Sequence, residues 1–250
     1  MIINLPKIIG HRGVKDLAPE NTIFSLEESV RFNLKWVEVD VKISKDNVPF
    51  LLHDDLLDRT TTGKGFPYHY SYKEIFDLDA GSWFNKKLST IYPPTLEEVL
   101  IFCSNNQIGL NIELKPNQGK EEENVNAVSA LINRKKINLQ YYLSSFDYFS
   151  LILIRNKMPD VTLGYLIDSL NEEKSINSII QDCLNLNCFS IGFNINIIDE
   201  KLVKKCKENN LIVTVYAEKN IEYTTAQKLW NIGVNSIFLD NPVNYKIFLS

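Results

Sequence analysis

The sequence predicts an α/β chain closed into a (β/α)8 barrel, the TIM-barrel class. It reads as a single domain over residues 1–250 with a small insertion at about 56–93. Three observations carry this. Apolar runs recur near residues 8, 37, 110, 140, 163, 190, 213 and 237, with helical periodicity between nearly all of them. The length of 250 residues suits eight such units, which need roughly 250. The competing class, an open doubly wound sheet, wants a glycine-rich dinucleotide loop after its first strand, and HRGVKD has no GxGxxG.

The first strand begins at Lys7 on Ile8 and Ile9 and gives way to His11, Arg12 and Gly13. A polar loop straight after an apolar run is how the carboxyl end of a central α/β strand looks. Asn21 or Thr22 caps the helix that follows, and Ile23, Leu26, Val30 and Phe32 form its apolar side. The next strand, WVEVDVKI over 36–43, alternates strictly. Val37, Val39 and Val41 fall on one face; Glu38 and Asp40 fall on the other. Two carboxylates in apolar surroundings need a metal ion, a basic partner or a raised pKa. Residues 46–53 form an extended return that delivers His53 and Asp54.

Residues 56–93 read as an insertion, too short to own a core. Its LLDRTTTGKGFPYHY stretch is a loop in which Arg59 and its threonines either line a site or simply cover the surface, and His69 is an exposed loop histidine. Tyr72–Phe76 is one helical turn. Pro94 and Thr95 open an amphipathic helix on Leu96, Val99, Leu100 and Phe102. From there the alternation is regular: strand 109–114, helix 121–135, strand 138–143, a helix capped by Asp147, strand 161–166, helix 175–184, strand 188–192, a helix capped by Asp199, strand 211–216, helix 224–231 and strand 236–239, with a short terminal helix. NEEKSINS is a polar loop passing into a helix.

Net charge is -4 with scattered basic residues, which argues against nucleic acid as a partner. The lysine-rich KLVKKCKENN reads as the solvated face of a helix. Cys103, Cys183, Cys188 and Cys206 lack metal-finger spacing and read as reduced structural thiols. MIINLPKIIGHRG has no cleavage-site pattern, and no run approaches the roughly 20 apolar residues of a membrane span. A cytoplasmic protein with no stable membrane insertion is expected; oligomeric state is not legible.

In a barrel, active residues gather at the carboxyl ends of the strands. That rule collects His11, Arg12, Glu38, Asp40, His53, Glu113 and Lys115. Glu38, Asp40 and Glu113 form an all-oxygen set suited to one hard divalent ion, Mg²⁺ or Ca²⁺. His11 and His53 suit acid–base work, since histidine titrates near neutrality. A metal, two histidines and the cations Arg12 and Lys115 describe a phosphodiester site. Structural alternatives stand beside these roles: His11 satisfying a backbone carbonyl, Arg12 clamped to Glu20, Lys115 neutralising Glu113. Trp36, Trp83 and Trp230 read as core or loop packing, with a substrate contact as the alternative for Trp83 in the insertion.

The chain resembles the glycerophosphodiester phosphodiesterases. The resemblance rests on HRGVKDLAPENT (11–22), VEVDVKISKDNVPFLLHDDLLDRTTTGKG (37–65), PTLEEVL (94–100), NIELKP (111–116) and GVNSIFLDNP (233–242), and covers nearly the whole chain in order. It implies a TIM barrel that hydrolyses small glycerophosphodiesters, such as those of choline or ethanolamine, to glycerol 3-phosphate and an alcohol. It puts the metal carboxylates on Glu38, Asp40 and Glu113, the essential histidines on His11 and His53, and phosphate contacts on Arg12 and Lys115, with Mg²⁺ or Ca²⁺ as cofactor. Glu20 and Asn21 match the family's loop after the first strand, where the Glu is often grouped with the site. It further implies attack by the substrate's own 2-hydroxyl, with His11 as first base and His53 as first acid. The chain departs from the family's WTVN pattern with VTVY at 213–216. This puts Val213 at the usual Trp position, so that an aromatic wall of the cup is either missing or partly replaced by Tyr216. Alternatives are a phospholipase D-like activity on lysophospholipids, which needs an apolar groove, and a non-catalytic phosphodiester-binding barrel.

Overall fold

The computed structural model describes residues 3–135, 138–171 and 174–248. Met1 and Ile2 of the N-terminal run, and Glu172 and Glu173 of the NEEKSINS loop, lie outside them. The strands are β1 (Ile8–Gly10), β2 (Trp36–Ile43), β3 (Pro49–Leu51), β4 (Gly109–Leu114), β5 (Tyr141–Ser145), β6 (Leu163–Ile167), β7 (Ser190–Asn194), β8 (Ile212–Tyr216) and β9 (Ser236–Leu239). All but β3 run parallel in sequence order, and β1 closes the ring by pairing with both β9 and β2. β3 is the extended return. It pairs antiparallel with β2 outside the ring, in the register Val41↔Leu51.

The surrounding helices are α1 (Ile23–Arg31), α2 (Tyr72–Phe76), α3 (Leu96–Asn106), α4 (Glu121–Arg134), α5 (Tyr148–Lys157), α6 (Ile176–Asn185), α7 (Glu200–Glu208) and α8 (Tyr223–Asn231). Their starts follow local chemistry. Thr22 caps α1 through Ser25 N, and Thr95 with Glu98 forms a reciprocal capping box on α3. Asp147, Ser175 and Asp199 cap α5, α6 and α7. The residues from Val243 to Phe248 end the described chain in short 3-10 turns.

The pleat sorts each strand into two faces. Val37, Val39, Val41, Leu110, Ile112, Leu143, Ile191, Val213 and Val215 join one large core with the helices. The other face points into the barrel. Its lower end is plugged by Ile9, Trp36, Tyr142 and Phe238. Gly109 admits the Trp36 indole there, because a Cβ on Gly109 would lie 2.2 Å from the ring. Above the plug the inward residues turn polar, and this change creates the cup.

Two expectations need correction. The buried face of α1 is Ser25, Leu26 and Ser29, while Val30 is 36% exposed. Small residues are used because α1 packs close on the loop after β1, where Ser25 Oγ donates to Arg12 O at 2.5 Å. Val213 is fully buried between barrel and helices and faces away from the cup. The aromatic position of the wall therefore belongs to inward-facing Tyr216, three residues on and of opposite parity.

Residues 56–93 carry α2 and 3-10 turns at Pro67–His69 and Lys86–Leu88. Leu57 and Ile75 pack with Phe50 and Leu52 in a small cluster beside β3. His69 is exposed against the Phe66 and Tyr68 rings. All four cysteines are buried and free. No helix among the described residues is long and apolar enough to cross a membrane.

Candidate active site

The cup at the carboxyl ends of the strands is a cavity of about 740 Å³. On β2 and β4 the register pairs Glu38 with Asn111 and Asp40 with Glu113, so the pleat aims all four side chains inward. Glu38, Asp40 and Glu113 are buried, and each offers an oxygen within 4.8 Å of the others. Among the described residues this is the one group with such ligand geometry. The donor set is all oxygen, as a hard divalent ion requires. Glu38 Oε1 is moreover buried with no protein partner.

Crowding sets the charge states. Burial, then the carboxylates of Asp40 and Glu113, push Glu38 well above the ordinary carboxylate range. Burial acts the same way on Asp40, but Lys115 and Arg12 overrule it and hold Asp40 ionised far below its usual value. Lys115 Nζ lies 2.8 Å from Glu113 Oε1 and 3.4 Å from Asp40 Oδ1. Burial opposes its charge, yet those two carboxylates raise it.

The loop after β1 wraps this cluster. Arg12 has φ +50° and Asn21 φ +56°, conformations rare for side-chain-bearing residues. The twist lets Arg12 N donate to Glu38 Oε2 at 2.9 Å. The Arg12 guanidinium donates to Glu20 Oε1 at 2.7 Å and approaches Asp40 Oδ2 at 3.4 Å. Asn21 holds Asp40 from two sides: Nδ2 donates to Oδ2 at 2.8 Å, and Oδ1 accepts from Asp40 N at 3.0 Å. Thus Thr22 is the cap of α1, and Asn21 serves the site.

Each histidine is paired with a carboxylate through Nδ1. His11 Nδ1 lies 2.7 Å from Asp240 Oδ1, and its Nε2 is 4.0 Å from Glu38 Oε2. Burial lowers the His11 pKa against the pull of Asp240 and favours the neutral ring. His53 Nδ1 lies 2.8 Å from Asp54 Oδ1. Arg59 grips Asp54 at 2.6 and 2.8 Å and Glu20 at 2.8 and 2.9 Å. The bonds from Arg59 and His53 hold Asp54 well below its usual range. One ionic chain therefore links His53, Asp54, Arg59, Glu20, Arg12 and Asp40.

The opposite wall carries Phe146, Leu166, Asp168, Asn194, Tyr216 and Glu218. Tyr216 OH donates to Asp168 Oδ1 at 3.1 Å, and its ring meets Phe146 edge-on at 5.4 Å. Burial and then Asp168 raise the Tyr216 pKa, so the phenol stays protonated. Of the expected wall residues, only Tyr216 takes such a place. Glu20 reaches the cavity, but Arg12 and Arg59 occupy its carboxylate, so it is a buttress. Trp83 is not in the lining; its indole donates to Ala80 O at 2.8 Å and its ring lies 5.9 Å from the Arg59 guanidinium.

The remaining expected residues (His11, Arg12, Glu38, Asp40, His53, Glu113 and Lys115) all line this cavity. Sequence reasoning gave Asp240, Asp54, Asn21 and Asn111 no role in the site, although it noted Asn21 in the loop and Asp54 beside His53, and it left Arg59 undecided. Asp240 was within reach, since it immediately follows β9 and the carboxyl-end rule applies to it equally.

Comparison with known proteins agrees with this geometry. Residues 11–244 match the sequence profile of the glycerophosphoryl diester phosphodiesterase family. The chain is 32% identical over 244 residues to YhdW of Bacillus subtilis, a provisionally named glycerophosphodiester phosphodiesterase, covering 94% of each. It is 30% identical over 242 residues to a glycerophosphodiester phosphodiesterase of Caldanaerobacter subterraneus subsp. tengcongensis, again covering 94% of each. A phosphodiesterase of Oleispira antarctica, solved with its product sn-glycerol 3-phosphate, superposes with a TM-score of 0.88 at 33% identity over 97% of both chains.

Proposed function

Because the chain belongs to the glycerophosphoryl diester phosphodiesterase family and is an enzyme of that class, we propose that it hydrolyses glycerophosphodiesters to glycerol 3-phosphate and a free alcohol by two-histidine acid–base catalysis. The observation that carries this reading is convergence: three carboxylates, two histidines and two cations from separate segments share one cavity. The product bound in the Oleispira antarctica relative supports the substrate class.

Glu38, Asp40 and Glu113 would hold one divalent ion, Mg²⁺ or Ca²⁺. Such an ion, when bound, polarises a phosphoryl oxygen and stabilises the charge added in the transition state. Arg12 and Lys115 bind the phosphate with donors that their carboxylate partners leave over; Arg12 alone has five N–H groups. Asp240 keeps the His11 proton on Nδ1, so Nε2 faces the cavity as a base. It takes the proton of the glycerol 2-hydroxyl, whose oxygen attacks phosphorus. His53, oriented by Asp54, gives a proton from Nε2 to the departing alcohol. In the second step the roles exchange, and water activated by His53 opens the cyclic phosphate while His11 returns its proton. Tyr216 and Phe146 form the wall opposite.

The test is an ion-supplemented assay on the choline, ethanolamine and glycerol diesters, reading glycerol 3-phosphate release. A parallel arm uses lysophosphatidylcholine. Release from the diesters, abolished by a chelator and restored by Mg²⁺ or Ca²⁺, is expected. Turnover of the lysolipid alone, or none with any diester, would overturn the reading.

A further inference from the structure

Asn111 sits two residues before Glu113 on β4, one layer deeper in the cup, beside Glu38 in the sheet register. It is fully buried and lines the cavity floor. Its Oδ1 accepts from Ser144 Oγ at 2.8 Å. Its Nδ2 meets no acceptor in the protein. A buried amide N–H without a partner is rare in a folded chain and calls for an acceptor from elsewhere. The neighbouring orphan is Glu38 Oε1, also buried and unpartnered. A donor and a carboxylate oxygen thus stand side by side on adjacent strands at the floor of one cavity.

A cation beside Glu38 satisfies the carboxylate but leaves the N–H unmet. What satisfies both is a cation carrying an oxygen that can still accept a hydrogen bond. A phosphoryl oxygen does so: it bears negative charge, binds the cation and keeps lone pairs free. Ser144 fixes the amide in that sense, since its hydroxyl bonds the carbonyl end and turns the nitrogen toward the cavity. The donor is neutral, is set in place before substrate arrives and is shielded from water. Those are the conditions under which a single hydrogen bond discriminates in favour of a transition state with added charge.

We propose that Asn111 is a substrate-contacting catalytic residue whose Nδ2–H donates to a non-bridging phosphoryl oxygen of the diester. The inference rests on the phosphodiesterase reading above. No bond is made or broken at Asn111; it stabilises charge on an oxygen that His11 and His53 do not reach.

The test compares N111A and S144A with the parent. Three quantities are read: kcat/KM on a glycerophosphodiester, calorimetric affinity of the ion-loaded protein for sn-glycerol 3-phosphate, and affinity of the ion-free protein for Mg²⁺ or Ca²⁺. N111A is expected to lose about 100-fold in kcat/KM, the scale of one oxyanion-directed donor. It should also bind glycerol 3-phosphate about tenfold more weakly while holding the ion within about threefold of the parent. S144A, which frees the amide to turn, is expected to lose about tenfold in kcat/KM and to weaken glycerol 3-phosphate binding less than N111A does, with ion affinity within about threefold of the parent. Three results would each overturn the proposal. The first is parental kcat/KM in N111A. The second is parental kcat/KM and parental glycerol 3-phosphate affinity in S144A, which would mean that the orientation of the amide does not matter and its N–H does not meet the phosphoryl oxygen. The third is a tenfold loss of ion affinity in N111A, which would mean the amide oxygen, not its N–H, faces the cavity. A parent that cleaves no diester would sink the functional reading instead, and the glycerol 3-phosphate affinities would still decide the role of Asn111.

Discussion

Replacing Asp240 by Asn tests whether His11 works through a bare Nε2. Asp240 is 2% exposed, with Oδ1 2.7 Å from His11 Nδ1 and Oδ2 2.8 Å from Lys15 Nζ. An ionised carboxylate only accepts, so the His11 proton stays on Nδ1 and Nε2 is free to take another. Asn keeps the shape but also offers an N–H. With that N–H turned to His11, Nδ1 must accept, and the ring proton moves to Nε2, where it blocks abstraction. The bond exchanged is charge-assisted, and such bonds contribute about 1.5–3 kcal/mol. At about 1.4 kcal/mol per decade this is a roughly 10- to 150-fold loss of kcat. KM should hold, because Asp240 stands behind His11 and is not among the cavity-lining residues. Steady-state glycerol 3-phosphate release gives both constants, and ¹⁵N shifts of the His11 ring report the tautomer directly. A D240N enzyme with kcat within about threefold of the parent would refute the reasoning. So would a rise in KM at constant kcat, which would make Asp240 a binding group.

Four other outcomes follow from the same geometry. E38Q should lose ion-dependent turnover and H53A should lose about 100- to 10,000-fold in kcat, both with parental circular dichroism; parental turnover in either removes that residue from the mechanism. In the ion-free protein Glu38 is pushed above its usual range by burial and by Asp40 and Glu113, so ion binding must displace its proton. Affinity should then rise with pH by up to about tenfold per unit below that pKa and flatten above it. Calorimetry in two buffers of different ionisation heat would show the proton released, and a flat profile from acid to neutral pH would count against the shift. G13A forces alanine to φ +83° and sets its Cβ 1.7 Å from Ser25 Oγ, so denaturant unfolding should show about 1–3 kcal/mol lost; an unchanged midpoint would mean the β1 loop relaxes freely.

The barrel and the seven convergent site residues were legible because they obey one-dimensional rules. Alternation in WVEVDVKI separates the carboxylates from the valines, and polar residues at strand ends mark the mouth. What escaped depends on how the ring closes. Asp240 lies 229 positions from His11 and meets it only because β9 pairs with β1 through Gly10↔Leu239. Val213 was misplaced by parity: a strand's side-chain period of two means that a three-residue offset changes face. Tyr216 pairs with Asn194 and faces inward, whereas Val213 pairs with Ile191 and faces the helices. In α1 the apolar pattern pointed to Val30, but the close approach of the β1 loop selects serine, which no hydropathy period reports. Trp83 lies in an insertion with no period, so its place under Arg59 had no local signal.

The charges of the site also bear on the kind of ion it takes. Six carboxylates meet on the histidine side of the cup (Glu20, Glu38, Asp40, Asp54, Glu113 and Asp240) against four cations, Arg12, Lys15, Arg59 and Lys115. Arg12 and Arg59 are matched by Glu20 and Asp54, and Lys15 is matched by Asp240. Lys115 stands against Asp40 and Glu113, so with Glu38 two negative charges remain on the three carboxylates. Uncompensated buried charge is costly, so it is removed by protonation or by a cation. Protonation accounts for the raised Glu38 in the ion-free protein, but a carboxylic acid there gives up a ligand. A monovalent cation leaves one charge unmet. A divalent ion closes the balance with all three carboxylates ionised and restores Glu38 Oε1 to a partner. Arg12 and Arg59 with Glu20 and Asp54 form a neutral set between the carboxylate cluster and His53, so the negative charge that an ion would meet is confined to Glu38, Asp40 and Glu113.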